Sequence, residues 1–342
     1  MSDMTEQMAQ TAAAMVAEGK GILAIDESLP TIKKRFDTIN VESTEENRRA
    51  YRELLITAPG GEDFISGMIL FDETLRQKTR DGVPFPQVMI EKGIMPGIKV
   101  DKGAKDLAGR PGEKVTEGLD GLRDRLAEYR DLGARFAKWR AVITIGDHIP
   151  TNGCIEANAH ALARYAALCQ EAGIVPMVEP EVLMDADNDI DVCYWATEKT
   201  LRTVFNALCD QAVALEHAIL KTNMVLSGKK CPVQAGVQEV AEKTVRCLLN
   251  TVPASLPGIV FLSGGQSATL ATAHLNEMNR NNDGLPWPLS FSYGRALQEP
   301  SLKTWAGSPD NFSAAQAALL HREKCNSLAC LGQYSDALEE AA

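Results

Sequence analysis

The stretch Ala218-Ile219-Leu220-Lys221-Thr222-Asn223-Met224 sets a lysine directly behind three apolar residues. A run this short and apolar, with no helical stripe on its flanks, predicts a buried strand. Side chains two apart share a strand face, so Ile219, Lys221 and Asn223 are expected to point the same way. A lysine on the buried side is costly as an ammonium. Desolvation lowers its pKa toward a neutral amine that can attack a carbonyl. The competing reading is a lysine at the strand's end whose head reaches water. The other strands decide between the two.

Outward from this stretch the same pattern repeats. Apolar runs predict strands at 22–26, 67–72, 96–101, 136–143, 175–181, 218–224, 258–265 and 289–295, most ending in a charged or hydroxyl residue. Between them lie helical segments. Met8, Ala12, Met15 and Val16 mark an N-terminal helix over 5–18, and Ser43-Thr44-Glu45-Glu46 reads as a capping box opening a helix through Tyr51 and Leu55. Leu119, Leu122, Leu126 and Tyr129 mark another, as do Ala161, Tyr165 and Leu168. Further helices are expected over 191–215, 237–249 and 314–328, and residues 28–35 read as a loop broken by Pro30. Lys99, Lys138, Glu179, Lys221 and Ser263 follow one another at intervals of 39 to 42 residues. Each repeating unit therefore sets one polar group at about the same height. Strand–helix alternation without a linker predicts an α/β chain forming a single (β/α)₈ TIM barrel over 1–342, with an N-terminal helix, a C-terminal helix and a short mobile tail at 332–342.

Composition narrows the function. The 342 residues are 45% hydrophobic, enough for a sizeable core, and carry a formal net charge of −11. That balance argues against a nucleic-acid or anionic-membrane surface, and no window approaches a membrane span. The N-terminus lacks the basic and apolar regions of a leader, so a cytoplasmic protein is expected. Eight cysteines occur singly with no CxxC pair, as in a reducing compartment. The five histidines show no pair at ligand spacing, so no metal or other cofactor is expected; His148 alone lies near a strand end.

In a barrel the active site lies at the carboxyl ends of the strands. There the sequence places Asp26, Lys99, Lys138 with Arg140, Glu179 with Glu181, Lys221, Ser263 and Arg295. Lys138 and Arg140 share a face, so Trp139 between them is expected to face the helices. So many charges at one mouth suit chemistry better than stability, because desolvated charges need partners. Ser263-Gly264-Gly265-Gln266-Ser267 and Ser292-Tyr293-Gly294-Arg295 follow the last two strands, where barrels commonly bind phosphate. Across the mouth, Lys99, Arg140 and the Lys34-Arg35 segment offer a second anion site. Two anion sites flanking a reactive lysine suggest a bisphosphate with a carbonyl between its ends.

The segments GILAIDES (21–28), GIKVDKG (97–103), FAKWR (136–140), VPMVEPE (175–181), LKTNM (220–224), FLSGGQS (261–267) and SFSYGRALQ (290–298) resemble the signature segments of class I fructose-bisphosphate aldolases. The resemblance runs from about Gly21 to Leu331. It implies a metal-free Schiff-base lyase, in this family usually a homotetramer, that converts fructose 1,6-bisphosphate reversibly to triose phosphates, dihydroxyacetone phosphate and glyceraldehyde 3-phosphate. By motif position it implies Lys221 as nucleophile, Glu179 as general acid and base, and Asp26 as the group polarising the C4 hydroxyl. It gives Lys138 the part of a cation lowering the Lys221 pKa and assisting dehydration, and Glu181 that of steadying the lysines. Ser263, Gly264, Gly265, Ser292, Gly294 and Arg295 match the C1-phosphate site; Lys99 and Arg140, with Thr31 and Lys34, match the C6-phosphate site.

The chain departs from the family pattern at three places. Thr222 replaces the usual proline, Thr144 stands where animal members often carry a lysine, and the last tyrosine, Tyr334, lies eight residues from the end instead of at it. The group that protonates the enamine stays open. Two other readings are weighed beside this one: a sedoheptulose 1,7-bisphosphate aldolase, and a scaffold built on an inactive barrel, which predicts loss of a catalytic residue.

Overall fold

The structure is a computed structural model that describes residues 2–280 and 284–339. Strands β1 (Gly21–Ile25), β2 (Ile65–Leu70) and β3 (Met95–Lys99) come first, followed by a hairpin of β4 (Ala104–Asp106) and β5 (Lys114–Thr116). Then come β6 (Phe136–Ile143), β7 (Val175–Val182), β8 (Ile219–Thr222), β9 (Ile259–Phe261) and β10 (Leu289–Tyr293). All but the hairpin pair in parallel in the closed order β1-β2-β3-β6-β7-β8-β9-β10, and Ile22 opposite Ser292 seals the ring. This is the eight-stranded barrel that the alternation predicts.

The helices are α1 (Ser2–Met15), α2 (Leu29–Asp37), α3 (Glu45–Ile56), α4 (Asp72–Arg76), α5 (Phe85–Glu91) and α6 (Leu122–Asp131). They continue with α7 (Asn152–Glu171), α8 (Ile190–Asp210), α9 (Val237–Thr251), α10 (Ala268–Arg280), α11 (Arg295–Trp305) and α12 (Phe312–Cys330). No helix among the described residues is long and apolar enough to cross a membrane.

Strand alternation sorts the side chains into two cores. Inside the barrel, Ile22, Ile69, Phe136, Met177, Ile219 and Val260 cluster with Met8, Ala12 and Met15 of α1 and with Val16 just beyond it, closing the N-terminal mouth. Their strand neighbours, such as Leu23, Leu70, Trp139 and Leu220, pack into the helix layer. Trp139 stacks on Tyr165 of α7 with ring centroids 5.5 Å apart, facing the helices as expected. With the bottom sealed by apolar groups, polar side chains on the same faces are left at the carboxyl-terminal mouth.

Phe136 fills the barrel bottom because glycine faces it. A Cβ on Gly97 would lie 2.2 Å from the Phe136 ring, and one on Gly67 would lie 2.9 Å away. Gly97→Ala is therefore expected to cost about 2–3 kcal/mol through overpacking. The denaturation midpoint should fall at unchanged slope, and Phe136→Leu in the same background should recover part of the loss. An unchanged midpoint in Gly97→Ala would mean that the ring moves freely.

Local signals misled in several places. Residues 28–35 are not a loop: Leu29–Asp37 is α2, because Pro30 sits in the first turn, where a missing N–H costs nothing. The α3 cap is Thr44, whose hydroxyl accepts from Asn47 N at 3.1 Å, so the box begins one residue later than read. Leu119 precedes α6, and the helix expected to reach 215 ends at Asp210 and is followed by a 3₁₀ turn at Leu215–His217. The β9 strand stops at Phe261, and Arg295 is the first residue of α11, so both segments expected to bind anions are turns beyond their strands. After α12 the chain folds back on itself. Tyr334 N donates to Asn276 Oδ1 at 2.9 Å, its hydroxyl donates to Glu339 at 2.7 Å, and Arg322 pairs with Glu339. Residues 340–342 of the expected tail lie outside the described residues.

Candidate active site

The carboxyl-terminal mouth holds a cavity of about 360 Å³ lined by both ends of the predicted constellation. At its floor β6, β7 and β8 lie side by side, with Arg140 in register with Glu179 and Lys138 with Met177. Parallel pairing thus brings the cations of β6 against the acids of β7, and β8 adds Lys221 beside them. Lys221 Nζ lies 3.2 Å from Glu179 Oε1, and Lys138 Nζ lies 3.1 Å from Glu179 Oε2 and 2.7 Å from Asp26 Oδ2. The contact between Glu179 Oε2 and Lys138 is an ion pair without hydrogen-bond alignment. These four groups form one chain, Asp26–Lys138–Glu179–Lys221, and the side chains of its last three members are about 95% buried.

Burial and charge split the two lysines. Desolvation lowers the Lys221 pKa and the Lys138 ammonium lowers it further, against Glu179 and Asp26. Lys138 is equally buried, yet Asp26, Glu179 and Asp101 together outweigh its desolvation and raise its pKa. Asp26 and Glu179 behave in the mirror sense. Burial would raise each, but Lys138 and Lys221 hold both carboxyls below their usual range, with Lys99 helping at Asp26 and Arg140 at Glu179. The site therefore holds an amine shifted toward its neutral form, a fixed ammonium and two carboxylates. That division follows from the number of anions each amine faces.

Around this floor stand the two sets of anion-binding candidates. On one side, Gly264 and Gly265 adopt φ of 57° and 88°, and Gln266 N closes the turn on Ser263 O at 3.0 Å. Arg295 opens α11 beside it and donates to Gln266 O at 3.0 Å. Gln266 is held from behind by His274, at 2.6 Å, whose pKa burial lowers to about 4. Ser292 is buried in the lining, and its hydroxyl has no hydrogen-bond partner among the described residues. On the other side, Arg140 Nε lies 2.5 Å from Glu181 Oε2, and Lys99 Nζ lies 3.6 Å from Asp101 Oδ1. Thr31 lines the mouth from the first turn of α2, 3.1 Å from the Ser28 hydroxyl.

Two expected members point elsewhere. Lys34 is exposed on α2 outside the cavity lining, whereas its neighbour Arg35 lines the cavity and pairs with Glu27 at 3.2 Å. One helical step separates them, and the sequence alone read both as loop. Asn223 does not share the Lys221 face. The strand ends at Thr222, and Asn223 turns to accept from Val182 N at 2.9 Å and donate to Thr197 of α8 at 3.0 Å. Thr222 is fully buried in β8 opposite Phe261, so the residue after the lysine serves the helix layer. Tyr334 is packed against α10 and is absent from the cavity lining.

Sequence reading missed Glu27, Asp185 and Lys229 in the lining. Glu27 takes Arg52 at 2.7 Å and Gln298 at 2.8 Å, partners 25 and 271 residues away, which no local pattern announces. No histidine lines the described cavity, and His148 is 93% exposed. Far from it, His321 and Cys325 on α12 come within 4.8 Å of Glu339, whose carboxylate is already engaged by Arg322 and Tyr334.

Comparison with known proteins gives one answer. The family model for class-I fructose-bisphosphate aldolase matches residues 7–342. A Xanthomonas campestris protein named "Probable fructose-bisphosphate aldolase class 1" is 66% identical over 330 residues, covering 96% of this chain and 98% of that one. Cytosolic fructose-bisphosphate aldolase 4 of Arabidopsis thaliana is 53% identical over 330 residues, covering 96% and 84%. The structure of Plasmodium falciparum fructose-bisphosphate aldolase, solved with TRAP and a small-molecule inhibitor, superposes with a TM-score of 0.96 at 50% identity, covering 98% and 97%.

Proposed function

From a chain that belongs to the class I fructose-bisphosphate aldolase family, and is a lyase of that activity, we propose the following residue roles. The observation that carries them is the buried Lys221 amine, lowered in pKa and 3.2 Å from Glu179. Neutral Lys221 attacks C2 of fructose 1,6-bisphosphate, giving a carbinolamine. Glu179, bridging the two lysines, takes the proton released by the amine and returns it to the departing hydroxyl, whose other proton comes from solvent, so water leaves and an iminium remains. A carboxylate then removes the C4 hydroxyl proton. Asp26 holds that hydroxyl while Glu179 accepts its proton. The C3–C4 electrons flow into the iminium, releasing glyceraldehyde 3-phosphate and leaving an enamine on Lys221. Protonation at C3 and hydrolysis return dihydroxyacetone phosphate and the free amine.

Lys138, fixed as an ammonium between Asp26 and Glu179, lowers the Lys221 pKa and stabilises the carbinolamine oxygen. Glu181 steadies Arg140. The turn Ser263–Gly264–Gly265, with Ser292, Gly294 and Arg295, seats the C1 phosphate; Lys99, Arg140 and Thr31 seat the C6 phosphate, with Arg35 taking the place expected of Lys34. The iminium is the electron sink, so no metal is required, and the cation-rich, histidine-free lining supports this. We further place the protein in the cytoplasm as a homotetramer; Val192 and Trp195 on α8 and Leu249 on α9 are exposed apolar groups suited to an interface. Neither other reading is favoured: the comparisons name fructose-bisphosphate aldolases, and Asp26, Lys138, Glu179 and Lys221 stand together.

Borohydride reduction in the presence of fructose 1,6-bisphosphate tests the assignment. Mass spectrometry of the digest should place the adduct on Lys221, in equal yield with and without EDTA. An adduct elsewhere, or turnover abolished by EDTA with no adduct, would overturn it.

A further inference from the structure

The loops after β7 and β8 are joined edge to edge by backbone hydrogen bonds. Gly228 N donates to Asn188 O at 2.8 Å, Lys229 N to Met184 O at 2.7 Å and Lys230 N to Ala186 O at 3.0 Å. The approach is so close that a Cβ on Gly228 would lie 2.3 Å from Ala186 O. This junction fixes the Lys229 backbone above the mouth, and its side chain reaches back toward the anion-binding turn. Its Nζ lies 2.4 Å from where a Cβ on Gly265 would stand, so glycine there both adopts φ +88° and leaves room for the ammonium. Among the described residues its only ion-pair partner is Asp185, at 2.8 Å, and both residues line the cavity.

The Lys229 and Asp185 side chains are 42% and 67% exposed, so solvent screens their attraction and the pair is weak. A phosphate dianion seated on the Gly264–Gly265 turn carries more charge than one carboxylate and offers more acceptor oxygens for a charge-assisted bond. We propose that Lys229 is a further substrate-binding residue, held aside by Asp185 in the free protein and transferred to the phosphate when it occupies that turn. The proposal rests on the reading of the turn as the C1-phosphate seat. Asp185 then acts as a competitor for Lys229, raising the threshold that a weaker anion must pass.

Lys229→Met should raise KM for fructose 1,6-bisphosphate and for fructose 1-phosphate by the same factor, roughly 5- to 20-fold for a part-exposed charge-assisted contact, at nearly unchanged kcat. Asp185→Asn should lower KM, and in the Lys229→Met background it should change nothing, because Asp185 works only through Lys229. Lys230→Met, exposed and outside the cavity, should match the wild type. Unchanged KM in Lys229→Met, a rise confined to the bisphosphate, or an Asp185→Asn effect that persists without Lys229 would each overturn the proposal. Failure of the underlying reading looks different: Arg295→Met, at the same turn, would then leave KM for both substrates unchanged.

Discussion

Lys221→Met is expected to abolish turnover, lowering kcat by about five orders of magnitude or more, the scale seen when a covalent nucleophile is removed. Methionine keeps the length and apolar character of the stem, so β8 and the Ile219 packing beneath it should persist. The fold should even gain slightly, since a buried amine is costly wherever it is not fully compensated. The loss therefore reports chemistry. Borohydride adducts should vanish while a bisphosphate still binds, because the two proposed anion seats are built from residues at the rim and not at the floor. Lys221→Arg should be as dead as Lys221→Met, since a guanidinium stays protonated and cannot attack. Activity above about one part in 10³ in either variant, measured at saturating substrate, would place the nucleophile elsewhere. Calorimetric titration with inorganic phosphate checks the retained binding independently.

The barrel was legible because its signal is repetition. Short apolar runs closing on polar residues, with Lys99, Lys138, Glu179, Lys221 and Ser263 each 39 to 42 positions from the next, admit few other arrangements. The floor of the site was legible from alternation: Glu179 stands opposite Arg140, Lys138 lies two residues along the same face of β6, and Lys221 follows on adjacent β8, where period-two geometry governs. Residues beyond the last strand pair were not. Asn223 lies one position past β8, where alternation stops, and its side chain follows a hydrogen bond to α8 instead. Lys34 and Arg35 could be separated only by the helical turn of α2, which Pro30 disguised as a loop. Asp185 and Lys229 are brought together by backbone pairing between two irregular loops, 44 residues apart, with no periodic mark on either. Helix α10 escaped because its alanines and threonines carry little apolar contrast, although it supplies His274 behind the anion-binding turn.

Glu179→Gln carries the second large effect, a fall in kcat of about 10²- to 10⁴-fold with KM changed only a few-fold. Glutamine fills the same space and still accepts from one lysine, but it neither takes nor returns a proton. The change also strips an anion from between two amines. Glu179 raises the Lys221 pKa, so removing it lets burial and Lys138 depress that pKa further. More of Lys221 is then neutral at a given pH, and the initial attack is not what fails. Dehydration fails, because the carbinolamine hydroxyl lacks its proton donor. Two readouts should therefore move in different senses. The rate of borohydride trapping, which needs the iminium, should fall by the same factor as kcat. The ascending acid limb of the pH profile should shift to lower pH, because the neutral amine persists there. A site that had lost only its electrostatic scaffold would instead trap at the wild-type rate once saturated. Full-rate trapping with depressed turnover would move Glu179 from dehydration to the later cleavage step, and unchanged values of both would remove it from the mechanism.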